Sequence, residues 1–184
     1  WEFPLRDRRL TPEQAPKHPI QSHVYLFRES TQQYFLEDAK NPYVQAKPFL
    51  WIQGDHVGGR SLLWGRGCYR MSDLDFTANL VDGHGVDWPI RYADIAPWYD
   101  YVERFIGISG SPEGLAQLPD GQFLPGMQLN CAEEKVRDAL QAKWGRERVL
   151  TIGRCAILTR AHGGRAACHY CGPCERGCIT GSYF

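Results

Sequence analysis

The residues most able to do chemistry sit near the end of the chain. Cys168, Cys171, Cys174 and Cys178 follow a C-x2-C-x2-C-x3-C spacing. Thiolates this close can converge on one metal centre, with Gly172, Pro173 and Gly177 bending the backbone between them. The spacing suits an iron–sulfur cluster, although Ile179 stands where such runs usually carry proline and no second run follows. Four thiolates also suit a tetrahedral zinc, but three ligands are more crowded here than in most zinc motifs. A reduced packing loop, or disulfide partners in an exported protein, would use the same residues. Cys68, Cys131 and Cys155 stand apart and read as buried thiols.

The second candidate is Val57-Gly58-Gly59-Arg60-Ser61, followed by Leu63-Trp64-Gly65. Paired glycines mark a tight turn or a backbone that a ligand approaches closely, and on its own the pair favours the turn. Trp64 could stack on a planar cofactor or fill a core. No G-x-G-x-x-G occurs, so the chain has no self-contained dinucleotide site of that kind.

Two helices are predicted around these segments. In Tyr92–Gly107, Ile95, Trp98, Val102, Phe105 and Ile106 recur at helical spacing and predict a buried face. Asp100, Glu103 and Arg104 are predicted on the other side. Asp94 falls in the first turn, and Gly107 is the predicted stop. The second helix starts at Asn130, an N-cap with Glu133 completing a capping box, and ends at Gly145. It is predicted to bury Ala132, Val136, Ala139, Leu140 and Trp144. Short strands are predicted over 149–152 and 156–159. Four prolines before residue 20 predict an extended segment.

Composition limits the function classes. Lys+Arg and Asp+Glu both number 21 in 184 residues, so no basic excess argues for nucleic acid. No unbroken aliphatic or aromatic run is longer than that of Phe49–Ile52, which is too short to span a bilayer. A soluble protein, cytoplasmic or periplasmic, is expected. With 19 Gly and 12 Pro, the chain is turn-rich. It starts at Trp1 and stops six residues past Cys178, so an internal piece of a longer protein is expected.

Three segments, in order, resemble the glucose–methanol–choline (GMC) family of FAD-dependent oxidoreductases. His56-Val-Gly-Gly-Arg-Ser-Leu-Leu-Trp-Gly65 is similar to its flavin-contacting loop V-G-G-x-S-x-x-W. Asp87-Trp-Pro-Ile-Arg-Tyr-Ala-Asp-Ile-Ala-Pro-Trp-Tyr-Asp-Tyr-Val-Glu103 and the residues up to Gly110 resemble its W-P-I-x-Y-x-D-L-x-P-Y-Y-x-x-V-E helix. The cysteine run resembles C-x-x-C-G-x-C-x-x-G-C of a bacterial dehydrogenase-like branch.

The resemblance implies an α/β class, as an incomplete FAD-binding domain, here an α+β fragment rich in loops with two helices and few short strands. Residues 1–50 would form an extended covering segment, 51–70 the flavin-contacting loop, 87–110 the helix segment and 162–184 the cysteine-rich loop. It implies FAD held by Gly58, Gly59, Arg60, Ser61, Leu63, Trp64 and Gly65. The position before the tryptophan, histidine and covalently attached in some relatives, is Leu63, so that attachment is not expected. Arg60 could face the anionic reduced flavin.

The implied reaction removes hydride from a CH–OH group of an alcohol or sugar. The catalytic histidine region and the nucleotide-binding glycines would lie outside these residues, so the chain alone is expected to be inactive. Some family dehydrogenases pass electrons through a three-cysteine [3Fe–4S] cluster to a cytochrome. That makes Cys168, Cys171, Cys174 and Cys178 candidate ligands, and an electron-accepting cytochrome or small subunit a candidate partner. The competing reading is a cysteine-rich iron–sulfur or zinc module without flavin.

Overall fold

A computed structural model describes residues 10–172, 174 and 178–183. The chain divides into two compact units, residues 1–65 with 172–178, and residues 66–171 with 179–184.

The first unit is built from turns. Its described prolines and short polar runs yield 3-10 turns at Ala15–Lys17, Gln21–His23, Gln32–Tyr34 and Gly59–Leu62. Leu26, Phe27, Phe35 and Leu63 are buried together, with Leu10, Val24, Tyr34 and Ile52 packed around them. The Phe27 and Phe35 rings meet edge to face at 5.2 Å. Buried polar side chains tie the turns together: the Thr31 hydroxyl donates to the Leu26 carbonyl, and the Gln21 amide to that of Leu36.

The second unit holds four α-helices, α1 (Asp73–Phe76), α2 (Ala78–Asp82), α3 (Tyr92–Ile106) and α4 (Cys131–Trp144). Strands β1 (Ser109–Gly110) and β2 (Leu124–Pro125) pair in parallel, with Ser109 opposite Leu124. Cys155 bridges to Ser109 on one side and Gly67 on the other, so four chain segments meet where Ile108, Ala156 and Leu158 are buried. The predicted strand 149–152 is irregular, and 156–159 is reduced to bridges flanking buried side chains.

Both predicted helices form within their expected bounds. The Asp94 carboxylate accepts the Arg91 N–H at 2.7 Å, and Gly107 ends α3 at φ +83. At α4, Asn130 Oδ1 accepts from Ala132 and Glu133, and Glu133 accepts the Asn130 N–H. Which faces are buried differs from prediction. Glu103 is 5% exposed, whereas Trp98, Tyr101, Val102 and Phe105 are exposed; Ile95 and Ile106 are half-buried. The cause is Arg70, whose buried guanidinium binds Glu103 through Nε–Oε1 at 2.8 Å and Nη2–Oε2 at 2.6 Å. It also binds Asp100 and the Tyr92 hydroxyl. On α4, Ala132, Val136 and Ala139 are exposed and only Leu140 and Trp144 are half-buried. Cys131 is exposed at the start of α4, against its prediction as a buried thiol.

Candidate functional site

The predicted flavin loop is fixed at both ends by the core of the first unit. Gly54 bridges Phe35, the Leu36 N–H reaches the Gln53 carbonyl at 2.9 Å, and the Asp55 N–H reaches that of Tyr34 at 3.2 Å. A Cβ on Gly54 would lie 3.0 Å from Leu63 Cδ1 and 3.3 Å from the Tyr34 oxygen. Only glycine allows this approach without displacing backbone. At the far end, Leu63 is buried among Leu26, Phe27 and Phe35.

Between these anchors the backbone folds over at Gly58 (φ +96) and Gly59 (φ +57). The His56 carbonyl accepts the Gly59 N–H at 3.0 Å, and the Ser61 hydroxyl donates to the Gly58 carbonyl at 2.5 Å. Arg60 Nη1 donates to the Ile52 carbonyl at 2.8 Å, tying the turn to the preceding segment. Nothing lies within 4 Å of the Cβ position of Gly59. The turn therefore presents bare backbone to its surroundings, on which a flat group could rest at contact distance.

His56 adds a group the sequence does not single out. Its Nδ1 is 2.9 Å from the Tyr34 carbonyl, which can only accept, so Nδ1 carries the proton. In the neutral ring Nε2 is then a lone-pair acceptor. Nε2 is buried and has no hydrogen-bond partner among the described residues. An orphaned acceptor beside an uncovered backbone turn suits a donor from a bound group or a further segment.

The seven predicted cofactor residues thus share one loop but not one role. Gly58, Arg60, Ser61 and Gly65 are exposed, Gly59 and Trp64 are half-buried, and the Leu63 side chain belongs to the core. The predicted metal ligands are placed differently. The Cys168 N–H donates to the Leu158 carbonyl at 2.7 Å, and its Sγ accepts the Tyr170 N–H at 3.4 Å. Cys171 is exposed, and the Cys174 N–H donates to the Gly172 carbonyl at 2.9 Å. Pro173 and residues 175–177 of the run lie outside the described residues. Among the described residues, no three His, Cys, Asp or Glu side chains are grouped to hold a metal.

Away from this loop, burial pushes the Cys68 thiol up to about 11 and raises that of Cys155, so both are poor nucleophiles. Arg154 is fully buried and clamps the loop before β2, donating to the Pro119 carbonyl at 2.5 Å and to Asp120 at 2.9 Å. No helix among the described residues is long and apolar enough to cross a membrane.

No family model matches the sequence. Two known proteins are similar to it. Paromamine 6'-oxidase of Streptomyces fradiae is 35% identical over 131 residues, covering 69% of this chain and 23% of that protein. The 6'''-hydroxyparomomycin C oxidase of Streptomyces lividus is 32% identical over 117 residues, covering 61% of this chain and 21% of that protein. The chain spans less than a quarter of the length of either.

Proposed function

We propose that these residues are a section of an FAD-dependent oxidoreductase of the GMC type that oxidises a CH–OH group of an alcohol or sugar. The observation that carries this reading is the 35% identity over 131 residues with a protein named as an oxidase. The loop supports it. Gly58 and Gly59 expose backbone that a planar ring system can approach, and Ser61 and Arg60 hold that backbone in place. The buried Nε2 of His56 offers an acceptor next to it.

When bound, FAD supplies the acceptor for the two electrons that leave the carbinol carbon. The chain's own residues position and shield. Leu63 anchors the turn in the core, and Tyr34 fixes the proton of His56 at Nδ1. No base for the substrate hydroxyl is assigned among these residues.

The test uses the full-length polypeptide that contains these residues. It is expected to purify with the two resolved flavin bands, bleached by an alcohol or sugar substrate. Gly59→Val places a β-branched side chain at φ +57 on the open turn and should lower bound FAD at least about tenfold. A full-length protein without flavin refutes the proposal, and full occupancy in the Gly59→Val variant refutes the loop's role.

A further inference from the structure

Helix α3 is oriented against its own hydrophobicity. Its carboxylates face inward to Arg70, while Trp98, Tyr101, Val102 and Phe105 are 69%, 62%, 46% and 69% exposed. These residues fall at i, i+3, i+4 and i+7 and form a single stripe. Tyr101 and Phe105 stack with ring planes 9° apart, which fixes the stripe as a flat aromatic face. Together they leave on the order of 500 Å² of mostly apolar surface in water, at the upper end of what monomers tolerate.

We infer that the outward stripe of α3 is an intramolecular interface, covered by an apolar face of the parent polypeptide outside these 184 residues. The reading rests on the chain being a section of a longer oxidoreductase. Two observations choose this occupant. The matched relatives are more than four times as long as the segment they share with this chain, so most of a parent of that size lies outside it. A stripe of this size also falls short of the roughly 800 Å² per partner that a stable dimer buries, whereas a covalently tethered segment needs less.

The experiment is hydroxyl-radical footprinting of the full-length protein, read by mass spectrometry at Trp98, Tyr101 and Phe105. Rates are compared with those of the same protein in urea, and the oligomeric state is measured in parallel. The expected result is protection of about tenfold or more at all three residues in the monomer, independent of concentration. Protection of less than about threefold in the monomer overturns the inference. So does protection that appears only as the protein dimerises, since the occupant is then a second copy. A parent gene encoding no apolar segment beyond these residues overturns it as well. Flavin content of the same sample is scored separately: protection without flavin fails only the FAD reading, and flavin without protection fails only this one.

Discussion

Replacing Arg70 by methionine tests the packing of α3 directly. Arg70 and Glu103 have side chains 3% and 7% exposed, and their two hydrogen bonds measure 2.8 and 2.6 Å. Burial alone would lower the Arg70 pKa, but its bonds to Glu103, Asp100 and Tyr92 outweigh that and hold it above the usual arginine range. Methionine fills much of the same volume and leaves Glu103 with the Gln122 N–H at 2.7 Å as its remaining partner. Removing one member of a buried pair costs about 3–5 kcal/mol, a large share of a domain's 5–15 kcal/mol.

The double variant Arg70→Met with Glu103→Met should recover much of the loss, because an apolar pair removes both desolvation costs. Urea unfolding followed by far-ultraviolet circular dichroism measures Arg70→Met, Glu103→Met alone and the double variant. A single-variant cost under about 1 kcal/mol, or additive costs in the double variant, would refute the assigned role of the pair.

Two other substitutions probe the same unit. At Gly107 (φ +83), an added Cβ would lie 2.5 Å from Leu158 Cδ2 and 2.8 Å from His162 Cδ2, so Gly107→Ala should destabilise by more than about 1 kcal/mol. A melting temperature unchanged within error would contradict this. Asp120 sits below the usual carboxylate range. Its burial is outweighed by the N–H groups of Glu113 and Gly114 and by the Arg154 guanidinium. Its stabilising contribution is complete above the unfolded pKa and lost as pH falls through the lower folded value, so the gap between wild type and Asp120→Asn should shrink below about pH 4. A gap constant down to pH 2 would show that Asp120 is not the titrating clamp.

The sequence made element boundaries legible because their causes are local. Asn130 with Glu133, and Gly107 just past a periodic run, each place their chemistry within a few residues of the boundary they set. Ser72 and Asp75 carry the same signature, and it marks the start of α1. The packing of α3 was not legible, because its cause lies far along the chain. Periodicity assigns Glu103 to water until Arg70, 33 residues away, supplies a buried cation. Gly121 shows how tight that arrangement is: a Cβ there would lie 2.3 Å from Glu103 Oε2. Nothing in the sequence around Gly121 announces a carboxylate.

The candidate site divides along the same line. The loop Gly58–Gly65 could be picked out by composition, since a double glycine implies sharply turned backbone. Its division of labour could not. Leu63 looks like one more loop residue, yet it is the anchor that holds the turn on the core. His56 looks like an isolated histidine, yet the Tyr34 carbonyl fixes its proton and leaves a buried acceptor with no partner among the described residues. The orphaned Nε2 and the outward stripe of α3 belong to different units but share one physical form. Each is a group without its natural counterpart among the described residues, an acceptor without a donor and an apolar face without cover. Unmet demands of two different kinds are what a section of a larger fold should show. The function proposed here therefore depends as much on surfaces left open as on those already packed.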